Sequence, residues 1–227
     1  MENINNKTSA IIVAVVALLI GMGGGFLVGN SGDDKHDDSA KTTQSQATAP
    51  STKASDLRVL LNNLESEHVD LASAATRAGF DGNANFAAAA GALGKNTDSL
   101  AAAVGSVYGE AAGTKFKEIW ASHIGFFVDY TVAAKGGDQA GMAKAVENLN
   151  GYVDAISTFL SSANPNLPKE AVATLVGEHV GLLKEAVDKH GAADFVGSYD
   201  AQARARVQIT NKIADTLAGA IVKQKNL

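Results

Sequence analysis

The chain has 227 residues, 46% of them hydrophobic and 19% charged, a composition of the globular class. A formal net charge of −5 without any dense lysine or arginine cluster argues against a nucleic-acid partner, whose phosphates demand a basic surface. There is no cysteine, so disulfide scaffolds, thiolate metal sites, cysteine nucleophiles and cysteine lipidation are all excluded.

Residues 1–9 are polar, carry Lys7 and precede an apolar run, AIIVAVVALLIGMGGGFLV, that holds no charge from Ala10 to Val28. Such a run is long enough to cross about 30 Å of hydrocarbon as a helix, so residues 10–29 are predicted to be a transmembrane anchor. The acidic NSGDDKHDD that follows predicts, by the positive-inside bias, a cytoplasmic amino terminus with the bulk of the chain outside the cell membrane. A cleaved signal peptide is the alternative, but the run exceeds a usual signal core and no clear small-x-small cleavage site follows it. Gly21, Gly25 and Gly29 share one side of this helix, a pattern that admits a second copy at close range and predicts a homodimer contact; ordinary glycine enrichment in membrane helices is the competing explanation.

Residues 30–55 are rich in Ser, Thr, Asp, Lys, Gln and Ala and almost free of apolar side chains, which predicts a disordered linker with a reach of about 25–30 Å. Residues 56–227 then show amphipathic helical periodicity throughout, and the predicted fold is all-α. Six helices are expected, over 56–79, 84–107, 114–135, 139–162, 168–190 and 194–223, with Asn83, Asp138 and Asp194 as helix N-caps. Pro165 and Pro168 punctuate the longest connection, SSANPNLPKE.

His68, His123 and His179 recur at intervals of 55 and 56 residues, each on an apolar helical stripe with hydrophobic residues seven and four positions before it and one and three after. This predicts three repeated helical hairpins forming a six-helix bundle, with an open solenoid as the alternative. In a ring of hairpins the imidazoles could converge on one transition metal or a haem iron; in a solenoid they would stand a helix diameter apart. Glu65 lies three residues before His68 and shares its face, the spacing of carboxylate-bridged di-iron bundles. The equivalent positions before His123 and His179 are Trp120 and Val176, so a di-iron centre is rejected. Glu67, Asp129 and Glu178 are nearby carboxylates, of which Glu67 and Glu178 point about a quarter turn away. A purely structural histidine would instead hydrogen-bond a neighbour, with Asn96, Asp98 or Asp154 as candidates. Phe116, Trp120, Phe127 and Tyr130 follow helical spacing and are expected to form the main aromatic core layer. No G-x-S-x-G elbow, S-x-x-K pair or phosphate loop is present, so no catalytic residue is assigned and an enzyme is not expected.

Three segments, ESEHVDLASAATRAGFDG, SVYGEAAGTKFKEIWASHIGFFVDYTVAAKGGD and SSANPNLPKEAVATLVGEHVGLL, resemble a group of uncharacterised bacterial all-α proteins, many with an export signal, that share EHV, WxxHIGFFVDY and NPNLP motifs. The likeness covers most of 57–224. It implies an exported helical domain and no activity that carries over. The last helix in that group contains histidines, where this chain reads ARVQITNKIADTLAGAI. The expectation is a membrane-anchored extracytoplasmic binding or interaction module, the alternative being a metal- or haem-binding domain, for sensing or sequestration, that uses His68, His123, His179 and Glu65.

Overall fold

The computed structural model describes residues 51–227; the predicted segments 1–9 and 10–29, with Gly21, Gly25 and Gly29, and most of 30–55 lie outside the described residues. The described residues are helical with no strand among them: α1 (Lys53–Asp81), α2 (Phe86–Tyr108), α3 (Glu110–Gly136), α4 (Gln139–Ala163), α5 (Lys169–Gly191), α6 (Phe195–Gln208) and α7 (Asp215–Lys225). A π-helical turn over Ile209–Ala214 joins α6 to α7, so the two form a sixth rod. Among the described residues no helix is long and apolar enough to cross a membrane.

The six rods follow the predicted order, and the differences lie at their ends. The third begins at Glu110 rather than 114, because the chain reverses on a single residue, Gly109. Its φ of +94° is one that L side chains rarely adopt. The Gly109 N–H closes α2 by donating to the Gly105 carbonyl at 2.8 Å, and α3 resumes at the next residue. Such a tight reversal drives the two backbones together. A Cβ on Gly113 would stand 2.7 Å from the Ala101 carbonyl oxygen and 3.0 Å from Gly105 Cα, so only glycine fits.

The turns after α1, α3 and α5 close alike. Gly82 donates to the Gly79 carbonyl and Asn83 to Ala78; Gly137 donates to Ala134 and Asp138 to Ala133; Ala193 donates to His190 and Asp194 to Lys189. Each is a paired bond of the type that ends a helix on a left-handed residue. Asp138 and Asp194 then cap the following helix as expected, their carboxylates accepting from Gly141 N at 3.0 Å and Gly197 N at 2.9 Å. Asn83 does not. It sits two residues too early, accepting from Asn85 N at 2.9 Å to form a side-chain turn, and Asn85 occupies the cap position of α2 with no side-chain bond.

The rods pack as a helical bundle. Phe116, Trp120, Phe127 and Tyr130 are buried along α3 as predicted, with Phe116 stacked on Trp120 at 5.1 Å between ring centres. The sixth rod returns to α1, where Arg58 bonds Asp215 at 2.7 Å and Gln202 bridges Arg77 at 2.6 Å and Asp70 at 3.1 Å. The NPNLP loop is tied to the last turns of α2 and α7. Buried Asn164 donates to the Tyr108 hydroxyl at 3.0 Å, Tyr108 donates to Gln224, and Gln224 donates to the Ala163 carbonyl.

Candidate functional site

Helices α1, α3 and α5 each turn one histidine inward, and the three rings meet inside the bundle. His68 is 1% exposed, His123 4% and His179 6%. His68 Nε2 and His123 Nε2 lie 3.4 Å apart, and the His68 ring centre is 5.4 Å from that of His123 and 6.4 Å from that of His179. Rings in neighbouring solenoid layers would be separated by about 10 Å, the helix diameter. The helical period placed these side chains on inward faces; bundle packing brought the faces together.

Glu65, one turn before His68, is 2% exposed and belongs to the same cluster. Burial drives its carboxyl up from 4.5 to about 8, so at neutral pH it is mainly protonated. Burial pushes the imidazoles the other way: His123 falls to about 3, with the charge of His179 adding to the effect, and His179 falls to about 4. His68 is held well below 6.5 by burial and then by the other two histidines. The cluster is therefore electrically neutral near pH 7 although it contains four ionisable groups. Tyr152 stacks on His123 at 4.5 Å between ring centres, and its phenol is raised well above its usual range by burial and then by Glu65. Trp120 lies 4.9 Å from both His68 and His123.

The polar atoms here are under-satisfied. Glu65 Oε2, His68 Nδ1, His123 Nδ1, both ring nitrogens of His179, Asn96 Oδ1 and Gln208 Oε1 are buried without a hydrogen bond of good geometry. Outer acceptors nevertheless face the rings: Asn96 acts on His68, the Trp120 backbone on His123 and Gln208 on His179, each favouring the protonated form as a hydrogen-bond partner. Asn96 is itself held through its amide nitrogen, which donates to the Leu64 carbonyl and Glu67, each at 2.9 Å. Gln208 is held likewise by the Leu175 carbonyl at 2.8 Å.

Of the residues singled out in the sequence, His68, His123, His179 and Glu65 come together and Asn96 borders them. Asp98 and Asp154 do not: they pair on the surface with Lys117 and Lys169, each at 2.7 Å. Glu67 faces Asn96, Glu178 pairs with Lys212 at 2.9 Å, and Asp129 is exposed. Sequence reasoning missed Tyr152 and Gln208. The signal for Gln208 was a lone amide on a stripe otherwise made of Ala201, Ala205 and Ile209.

Two hollows flank the cluster. One of about 370 Å³ runs between α1, α2, α3 and α5, with His68 and His123 among its lining, apolar side chains such as Leu93, Phe127 and Leu183 along it, and a rim at exposed Gly82 and Val132. None of its lining residues is acidic or basic apart from the two histidines. Thr76 and Thr131 in this wall satisfy their hydroxyls on carbonyls of their own helices, whereas the Ser73 hydroxyl, 3% exposed, has no partner. The other, about 60 Å³, is bordered by Glu65, Trp120, Tyr152 and His179 within an otherwise apolar lining. As placed, no group of three or more histidine, aspartate or glutamate side chains among the described residues is arranged to hold a metal ion.

No family model, no curated protein and no solved structure matches this chain.

Proposed function

We propose that the helical domain is a non-catalytic binding module that takes a small, uncharged, mainly apolar molecule into the larger hollow, its single polar group meeting Ser73, His68 and His123. The observation that carries this reading is the lining itself: an apolar channel of about 370 Å³ that borders two uncharged imidazoles and an unpartnered hydroxyl. Ligand sites commonly have this make-up, apolar walls for affinity and a few polar atoms for orientation. A charged ligand would meet no counter-charge and lose its hydration.

The rest of the reading concerns address. Residues 10–29 anchor the chain in the cell membrane, 30–55 form the tether, and the domain stands outside, with Gly21, Gly25 and Gly29 as the contact between two copies. The matching turns after α1, α3 and α5, whose left-handed residues are spaced like the histidines, support an origin in three repeated hairpins.

Titrating the full chain in mild detergent with a series of medium-chain n-alkanols tests the pocket, with Trp120 emission as the readout because it is the protein's only tryptophan and borders both histidines. Saturable one-site binding that is lost in Ala90→Phe, a partly buried wall residue, is expected. Absence of saturable binding across the series would sink the reading. Protease accessibility of 30–55 in intact cells tests the address, and protection there would contradict an outward-facing domain.

A further inference from the structure

We propose that His68, His123, His179 and Glu65 form a buried centre for one divalent transition-metal ion of the zinc, cobalt or copper class. The centre shares His68 and His123 with the pocket but does not require a ligand there.

Four observations carry this. The 3.4 Å between His68 Nε2 and His123 Nε2 is long for an N–H···N bond, yet close to the separation of about 3.3 Å that two imidazoles show on a tetrahedral ion with bonds of about 2.0–2.1 Å. Carbonyl oxygens of Asn96, the Trp120 backbone and Gln208 stand beside the three imidazoles, although none of them closes a hydrogen bond to a ring nitrogen. A ring that turned to donate one N–H to such an oxygen would present the other nitrogen's lone pair inward, as metal-bound histidines do. Both nitrogens of His179 and Glu65 Oε2 are buried and unpartnered, a costly condition that a cation would relieve. Finally, His179 and Glu65 both border the cavity of about 60 Å³. As placed, the four groups do not surround one point. The centre requires the His179 ring and the Glu65 carboxyl to rotate out of that cavity toward the two facing Nε2 atoms. The donor set, nitrogen-rich with a single carboxylate, suits zinc, cobalt or copper rather than calcium or magnesium.

The test uses the full chain in detergent, stripped with a chelator and then dialysed against Zn²⁺, Co²⁺ or Cu²⁺. Expected are one bound ion per chain by elemental analysis, intense visible absorption with Co²⁺ and nitrogen superhyperfine splitting in the Cu²⁺ electron paramagnetic resonance spectrum. His123→Ala should abolish binding, and Asn96→Ala, which touches only the outer shell, should weaken it by about 10–100-fold. The metal spectra come from the unaltered chain, so a variant that fails to fold leaves the test intact. A chain that takes up no stoichiometric ion, or whose bound Cu²⁺ shows no imidazole nitrogen, overturns the centre. Alkanol binding that survives such a result would leave the pocket standing alone.

Discussion

Ala193 holds a φ of +58°, the left-handed region, at the position that glycine fills in the two matching turns, Gly82 at +69° and Gly137 at +67°. An L side chain there costs roughly 1–2 kcal/mol relative to glycine, offset in part by the greater freedom glycine has when unfolded. Ala193→Gly is therefore expected to stabilise the domain by about 0.5–1 kcal/mol, read as a raised midpoint in urea. Gly82→Ala and Gly137→Ala should do the reverse. That three histidines face inward was legible from their spacing on apolar stripes. That two of them meet at Nε2 was not, because the rotation of α1 against α3 follows from packing across the bundle, which no local period records.

Among the helices, amphipathic period and turn residues fixed number and order, and α3 starts at Glu110 rather than the expected 114 because Gly109 alone makes the reversal. The π turn in the sixth rod was illegible for a different reason. Buried positions step by four from Ala201 to Ala205 to Ile209, by five to Ala214, and by four again to Ala218. The five-residue step lets Gln208 reach the His179 helix while Ala214 and Ala218 still face Leu61 of α1, a compromise between two neighbours rather than a property of the segment. Deleting exposed Asn211 should turn this stretch into regular α-helix while keeping both faces in place, so the variant is expected to remain folded by circular dichroism. Deleting Gly151 from α4, which has no such slack, should abolish the cooperative transition. The caps permit a quantitative check. Asp138→Ala and Asp194→Ala should each cost about 1 kcal/mol in chemical unfolding, as expected for a lost side-chain cap.

For the molecule as a whole, the buried cluster imposes opposite pH limbs on the metal-free chain. The three imidazoles have depressed values when folded, so their contribution is complete above about 6.5 and is lost as pH falls, toward about 4 for His179 and about 3 for His123, with His68 acting in the same direction. Glu65 is raised when folded, so its contribution is complete below 4.5 and is lost as pH rises to about 8. Between 4.5 and 6.5 three histidines outweigh one carboxyl and stability climbs; above 6.5 only Glu65 acts and stability falls by up to about 1.4 kcal/mol per pH unit. Thermal melts across pH should peak near 6.5, and Glu65→Gln should flatten the alkaline limb and steepen the climb between 4.5 and 6.5. A melt profile still rising through pH 8 would contradict the buried carboxyl. The same closed architecture has a temporal side. Arg58, Asp70 and Arg77 on α1 all find partners in the sixth rod, Asp215 and Gln202 among them. Closing pairings of such long sequence separation carries a large loop-closure cost, so the docking of the sixth rod on α1 is expected to be a late step in folding.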